Sequence, residues 1–159
     1  MSMTCVLYAI SADAARQAIA NPEMIENLLD DGNIDQVSLE KSWHGIHFTL
    51  TGTAWEGDPP LNFILGGGQE VGEDIGYGAA RIIKPEDVVE INGQLGDFSD
   101  DHFAQRFDLN LLEENEIYPQ IWDEPLEDLL EEYTDYFRAT RELIVRAAGK
   151  GQALLVAMM

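Results

Sequence analysis

The chain has 159 residues, of which 45% are hydrophobic and 25% charged, as in an ordinary soluble globular protein and unlike a disordered or membrane protein. Its 30 Asp and Glu residues against 9 Lys and Arg give a formal net charge of −21, which repels phosphate and makes nucleic acid and anionic membranes poor partners. The apolar runs are too short to cross a bilayer, residues 1–20 lack the basic region of a signal peptide, and the single cysteine, Cys5, excludes a disulfide framework, so we expect a cytoplasmic protein.

The chain is predicted to begin with one strand and two helices. The apolar run at 3–10 is typical of a buried strand, and Ser11 is a suitable cap for a helix over 12–20. The Asn-Pro pair at 21–22 predicts the start of a second helix, which ends at Gly32.

The stretch "KSWHGIHFTLTG" at 41–52 is predicted to belong to a third helix with one buried face. Five residues recur at i, i+4, i+7, i+8 and i+11, which places them on one side of a helix of 3.6 residues per turn. These residues are Leu39, Trp43, Ile46, His47 and Leu50. Gly52 is expected to close the helix in a left-handed conformation.

Two of the three histidines lie in this stretch, three residues apart. His44 and His47 lack the i, i+4 spacing and the intervening Glu of a zinc-binding helix, so no metal site is expected. We expect His47 to be a core residue hydrogen-bonded to a carboxylate or a backbone carbonyl, and His44, at the edge of the apolar face, to be the better candidate for contacting a ligand. Gly45 costs about 1 kcal/mol relative to alanine inside a helix, so another segment is expected to approach closely there.

The middle of the chain is rich in glycine. Residues 61–65 are either a short strand or a buried segment, and "GGGQEVGEDIGYG" at 66–78 is predicted to be a surface loop, or alternatively a lid over a small pocket. The loop lacks the Lys-Ser/Thr ending of a phosphate-binding loop, the spacing of a dinucleotide fingerprint and the ligands of an EF-hand. A strand is predicted at 79–83. Within it, Arg81 is expected to pair with an internal carboxylate, or alternatively to bind an anionic ligand.

The second half of the chain is predicted to be mostly helical. Helices are expected from Pro85, after the cap residue Ser99, and over 125–148, where an apolar stripe lies under an acidic face. The apolar run at 152–159 predicts a closing strand. Because strands stand at both ends with helices between them, we predict an α/β fold, with helices packed on a mixed or parallel sheet and a single compact domain over 1–159.

Six segments, taken in order, form a specific combination along nearly the whole chain: "WHGIHFTLTGT", "DPPL", "GGG", "GYGAAR", "EIYP" and "GQALLVAM". This combination resembles the YfbM-like proteins, a bacterial family of unknown function. The residues that fit the motifs are Trp43, His47, Phe48, Leu50, Thr51, Gly52, Tyr118 and Pro119. The resemblance implies one compact α/β domain in which the helix with the Trp-x-x-x-His pattern lies in the interior, and it brings no known activity with it.

Nucleophilic catalysis has little support in the sequence. Ser42 lacks the G-x-S-x-G turn of a hydrolase, and Cys5 lies in a predicted buried strand where a thiol is inert. We therefore expect no catalytic residue and no cofactor.

Two hypotheses for the function remain. The preferred one is a non-catalytic binding or adaptor domain whose acidic face, at 113–116 and 123–136, meets a cationic protein. The alternative is a small-molecule-binding protein or enzyme with a pocket that joins the Trp43 helix to the glycine-rich loop. The ligand-binding candidates for that pocket are His44, His47, Tyr77 and Arg81. A homodimer is compatible with both hypotheses.

Overall fold

In the computed structural model, which describes residues 2–159, five strands form one sheet. The strands are β1 (Cys5–Ile10), β2 (Gln36–Glu40), β3 (Gln69–Asp74), β4 (Ala79–Ile83) and β5 (Ala153–Met158). Their order across the sheet is β2-β1-β5-β4-β3, and every neighbouring pair is antiparallel.

The predicted mixed or parallel sheet is therefore wrong, whereas the predicted combination of a sheet with packed helices is confirmed. The prediction rested on strands at both ends of the chain with helices between them. Instead, β1 and β5 lie side by side in opposite directions, with Cys5 opposite Met158 and Ile10 opposite Ala153. β3 and β4 form a hairpin, which further excludes a parallel arrangement.

The two edge strands, β2 and β3, lie where the sequence predicted other structures. β2 includes Leu39, which the helical spacing had assigned to the third helix, and Leu39 is the only residue of β2 that is fully buried. β3 lies in the predicted glycine-rich loop, and only Val71 of this strand is buried. Edge strands with charged side chains and few buried positions resist pairing with other chains, but they also lack the apolar pattern that predicts a strand.

The helices follow the predicted order, with one addition. They are α1 (Ala12–Ala20), α2 (Met24–Asp30), α3 (Trp43–Thr51), α4 (Pro85–Gly96), α5 (Asp100–Arg106), α6 (Leu109–Glu114) and α7 (Leu126–Gly149). Ser11 and Ser99 cap α1 and α5 as predicted, each accepting a hydrogen bond from a backbone N–H three residues later. The sequence did not predict α6, whose cap is the carboxylate of Asp108.

Helices cover both faces of the sheet and divide the core in two. Alternate residues of β1 point to opposite faces, so that Leu7 joins the larger cluster, under α3, α4, α5 and α7, and Tyr8 joins the smaller one, under α1 and α2. α3 lies inside the larger cluster, which places the Trp43 motif in the interior. No helix within residues 2–159 has both the length and the apolar character needed to span a membrane.

Candidate functional site

Helix α3 is buried on all sides rather than on one face. Every residue from Trp43 to Leu50 is buried, including His44, His47 and Thr49. A helix enclosed in this way must satisfy its polar side chains internally, because no water reaches them. The hydrogen bonds of the two histidines therefore decide what this helix can do.

His44 joins two loops through its ring. Its Nε2–H donates to the carbonyl oxygen of Ala54 at 2.8 Å, and its Nδ1 accepts from the backbone N–H of Tyr118 at 2.9 Å. Because a backbone N–H can only donate, Nδ1 is unprotonated and the ring is neutral. Burial lowers the pKa of His44 and keeps this state, although the bond to Ala54 opposes the shift. The edge position expected for His44 is thus an enclosed one, with 0% of the residue exposed and both ring nitrogens occupied.

His47 is also fully buried, and it has one partner. Its Nε2–H donates to the carbonyl oxygen of Glu56 at 2.7 Å, which is one of the two kinds of partner, a carboxylate or a backbone carbonyl, that the sequence led us to expect. Its Nδ1 has no hydrogen-bond partner within residues 2–159. Burial lowers the pKa of His47 to about 4, with a smaller contribution from the nearby His44 ring and against the opposing bond to Glu56. The ring is therefore neutral at pH 7.

Gly45 allows α3 to approach the helix α7. A Cβ at position 45 would lie 2.6 Å from Cε2 of Tyr133 and 3.3 Å from the ring of Trp122. The predicted close approach at Gly45 is confirmed. Gly52 also closes α3 in the predicted left-handed conformation, with φ of 78°.

An aromatic cluster surrounds the start of α3. The ring of Trp43 stacks on His44 at 4.9 Å and on Tyr118 at 5.6 Å between centroids, and Trp55 lies 4.3 Å from His44. Both Trp43 and Tyr118 also bond to the backbone of Met3: Trp43 Nε1–H donates to its carbonyl oxygen at 2.9 Å, and Tyr118 Oη accepts from its N–H at 3.1 Å. These contacts give the motif residues a structural role that holds three segments together.

Arg81 is held by backbone carbonyls rather than by the expected carboxylate. Its guanidinium donates four hydrogen bonds of 2.6–2.9 Å to the carbonyl oxygens of Phe63, Ile64, Gly66 and Gly67. No carboxylate oxygen of residues 2–159 lies within 4 Å of it, so the internal ion pair is not found. Burial lowers the pKa of Arg81, and the nearby carboxylate of Glu70 opposes that shift.

A pocket of about 240 Å³ joins the start of α3 to the β3–β4 hairpin. Trp43, Trp55, Tyr77 and Arg81 line it, together with Glu70. Trp55 and Tyr77 expose 64% and 38% of their surfaces there. Neither His44 nor His47 is among the described residues that line the pocket, so the structure brings together only two of the four ligand-binding candidates. Ligand binding by any of the four remains a prediction.

A second groove, of about 380 Å³, was not predicted from the sequence. We call it the tyrosine groove. It is lined by Glu40, Lys41, Ser42, Pro119, Ile121, Glu124, Glu132, Tyr133 and Tyr136. Its walls come from the turn after β2, the segment before α7 and the first half of α7, so it brings together residues more than ninety positions apart in the chain. The sequence signals near it were the "EIYP" segment, with Pro119, and the acidic run at 123–136.

No group of three or more His, Cys, Asp or Glu side chains within residues 2–159 is arranged to hold a metal ion.

Comparison with known families gives a match over almost the entire chain. A family model described as "Domain of unknown function (DUF1877)" matches residues 1–157. The chain belongs to the DUF1877 family. The fold of this DUF1877 protein is similar to the crystal structure of a protein of unknown function, YfbM from Escherichia coli, with a TM-score of 0.73 and 19% sequence identity. The similarity covers 98% of this chain and 99% of that one.

The predicted resemblance to the YfbM-like proteins is thus confirmed. At 19% identity, the likeness to YfbM establishes the shared fold of these DUF1877 proteins and no activity. A search of curated proteins found no match.

Proposed function

We propose that this chain is a non-catalytic binding domain that recognises a cationic protein through one acidic surface. The observation that carries the proposal is the sequence interval between Arg106 and Arg138, which contains no Lys, Arg or His and has eleven exposed carboxylates, ten of them C-terminal to α6's cap residue Asp108. We define the acidic surface as Glu113, Glu114, Glu116, Asp123, Glu124, Glu127, Asp128, Glu131, Glu132 and Asp135.

The arrangement on α7 supports a continuous negative face. Glu127, Glu131 and Asp135 follow one another at four-residue steps, and Asp128 and Glu132 flank this row on the same side of the helix. The buried side of α7 faces the opposite direction, into the larger core. One long helix therefore holds five carboxylates on a rigid scaffold.

These charges are poorly compensated within the protein. Among the ion pairs within residues 2–159, only the pair of Asp135 with Arg138, at 3.0 Å, involves the acidic surface. Exposed like charges repel one another and destabilise the compact state, and a cationic partner relieves that repulsion while the field accelerates its approach.

The test compares two variants with the same change in net charge. One replaces Glu113, Glu114, Glu127 and Glu131 with Gln, and the other replaces the exposed residues Glu23, Glu26, Glu73 and Glu90 with Gln. Each immobilised protein is used to capture partners from its own cells, at low salt and at about 1 M salt, where charges are screened beyond about 3 Å.

We expect a specific cationic protein to be captured at low salt by the wild type and by the control variant only. Equal loss of that protein from both variants, or capture that does not respond to salt, contradicts the proposal.

The pocket beside Trp43 supports a second candidate, the binding of a small molecule. Trp55 and Tyr77 present exposed aromatic surface beside the carboxylate of Glu70, whereas the guanidinium of Arg81 is engaged by four carbonyls. A flat ligand with an apolar face and a hydrogen-bond donor matches that chemistry better than an anion.

Thermal-shift screening of metabolites tests this candidate. A true ligand raises the melting temperature of the wild type but not that of Trp55→Ala or Tyr77→Ala. A ligand response that survives both substitutions excludes this pocket as the site.

A further inference from the structure

The tyrosine groove has three carboxylates and one ammonium group around its rim. Glu40, Glu124 and Glu132 line it and are exposed, as is Lys41. Within residues 2–159, none of these four side chains forms an ion pair. The groove therefore has a net negative charge that the protein itself leaves uncompensated.

Tyr133 supplies an independent sign that the groove takes a ligand. The residue is 98% buried, with only 2% of its surface exposed, yet its hydroxyl has no hydrogen-bond partner within residues 2–159. Its ring is fixed by contact with Gly45 and Trp122, so the hydroxyl cannot turn away to find a partner. The hydroxyl oxygen itself is not among the fully buried polar atoms that lack a partner, so it faces the groove, where water or a ligand can supply the hydrogen bond.

The charged groups near Tyr133 indicate whether that ligand is a cation or an anion. Burial raises the pKa of Tyr133, and the carboxylates of Glu132 and Glu124 raise it further. The pKa of Tyr136 is also raised, by burial and then by Glu132 and Glu40. Both hydroxyls thus stay neutral in a region of negative potential, where they can accept hydrogen bonds from a cation.

Aromatic rings and carboxylates together favour an organic cation over a compact ion. A guanidinium group can bond to a carboxylate through two N–H groups and stack on a tyrosine ring at the same time. An alkylammonium group satisfies the same acceptors with three N–H donors. The groove's volume of about 380 Å³ accommodates a long side chain, and Pro119 and Ile121 offer apolar contact for its methylene groups.

We propose that the tyrosine groove binds a guanidinium or alkylammonium group, and that its source is an arginine or lysine side chain of the cationic protein partner. The inference rests on the proposed function and deepens it, because Glu124 and Glu132 belong to the acidic surface. Within residues 2–159, Glu132 forms no ion pair and the hydroxyl of Tyr133 forms no hydrogen bond. Both groups can therefore accept hydrogen bonds from the incoming cation.

Lys41 provides a test of whether the ligand is a cation or an anion. Its ammonium group lines the groove and competes with an incoming cation by repulsion. Replacing it with Gln should tighten the binding of a cation by about threefold, whereas it should weaken the binding of an anion.

The experiment titrates the full chain with N-acetyl-arginine methylamide and follows the tyrosine and backbone signals by NMR. N-acetyl-citrulline methylamide, which has the same shape without the charge, is the ligand control. We expect saturable shifts at the tyrosine groove with the arginine compound and none with the citrulline compound.

Matched variants locate the site. Glu132→Gln should weaken binding about threefold, while Glu142→Gln, which removes the same charge from an exposed position of α7 outside both the groove and the acidic surface, should leave it unchanged. Tyr133→Phe should weaken binding about threefold through the lost acceptor, with an unchanged melting temperature because that hydroxyl has no internal partner.

Several results would overturn the inference. These are equal binding of the citrulline compound, equal effects of Glu142→Gln and Glu132→Gln, weaker binding by Lys41→Gln, or shifts produced by Ca²⁺ but not by the arginine compound. Binding of free agmatine much more tightly than the arginine compound would overturn the protein source and indicate a small-molecule amine.

Failure of this inference can be told apart from failure of the proposed function. The capture experiment uses substitutions that lie outside the groove, so a partner that still binds through the acidic surface leaves the proposed function standing when the arginine compound does not bind.

Discussion

Gly45 in α3 lies against the ring of Tyr133 in α7, so closely that a Cβ at position 45 would be 2.6 Å from Cε2 of that ring. The ring has little freedom to move, because Trp122 packs 5.5 Å and Phe107 5.3 Å from it, between centroids. The glycine thus sets the distance between two helices and, through Tyr133, the shape of the tyrosine groove.

Gly45→Ala should lower the free energy of unfolding, although alanine is the better helix former. The added methyl group overpacks a rigid aromatic contact, which costs about 1–3 kcal/mol. Gly93→Ala is the control: this glycine lies exposed in α4 with nothing within 4 Å of a Cβ, so the substitution should stabilise by up to about 1 kcal/mol. Urea denaturation measures both, and a stabilising effect at both positions would show that Tyr133 moves freely.

Arg81→Lys should destabilise the protein despite the retained charge. Arg81 serves four carbonyl oxygens between residues 63 and 67, and the three N–H groups of an ammonium cannot reach all four. With at least one carbonyl left unsatisfied, we expect a loss of about 2 kcal/mol in the free energy of unfolding. Arg16→Lys, at an exposed pair with Asp13, should have little effect. Equal effects in urea denaturation would mean that water replaces Arg81.

His44→Ala should reduce stability strongly, and this separates a structural role from ligand contact. The substitution leaves the Ala54 carbonyl and the Tyr118 N–H without their partner and removes a ring stacked on Trp43. We expect a loss of about 3 kcal/mol or more in the free energy of unfolding. His102→Ala, at an exposed histidine, is the control. Normal stability of His44→Ala in urea would restore His44 as a ligand-facing residue.

The fold was predictable where burial is continuous along the sequence. β1 and β5 have long buried runs and β4 has three buried residues out of five, and the apolar residues of these strands predicted them. β2 and β3 have one fully buried residue each, Leu39 and Val71, which is too little for an alternating pattern. The position of Leu39 also matches the helical periodicity of α3, the helix that follows it. Without the edge strands, the sheet direction could not be inferred.

Features of the candidate sites could be predicted only where they depend on residues close together in the sequence. The close approach at Gly45 and the helix end at Gly52 follow from backbone rules that act within a few residues, and both predictions are confirmed. The tyrosine groove depends on the fold bringing Glu40 and Glu132, which are far apart in the sequence, to the same groove. The carbonyl cage of Arg81 depends on a turn at 63–67, and carbonyl groups carry no sequence signal.

His47 makes stability depend on pH between about 4 and 6.5. Its folded-state pKa of about 4 is lower than the ordinary value of 6.5, so the unfolded chain binds a proton that the folded chain rejects in this range. Stability is therefore complete above pH 6.5 and falls as the pH drops. From pH 7 to pH 5, we expect His47 to account for a loss of about 2 kcal/mol in the free energy of unfolding.

Urea denaturation of His47→Gln at both pH values measures this contribution directly. The variant is less stable at pH 7 because a buried ring is lost, but its further loss on going to pH 5 should be smaller than that of the wild type by about 2 kcal/mol. His44, whose pKa is also lowered, remains and maintains part of the slope. Equal losses of stability in His47→Gln and in the wild type would contradict this prediction. They would mean that the ring of His47 accepts a proton in the folded protein and that its protonated Nδ1–H then donates to an acceptor.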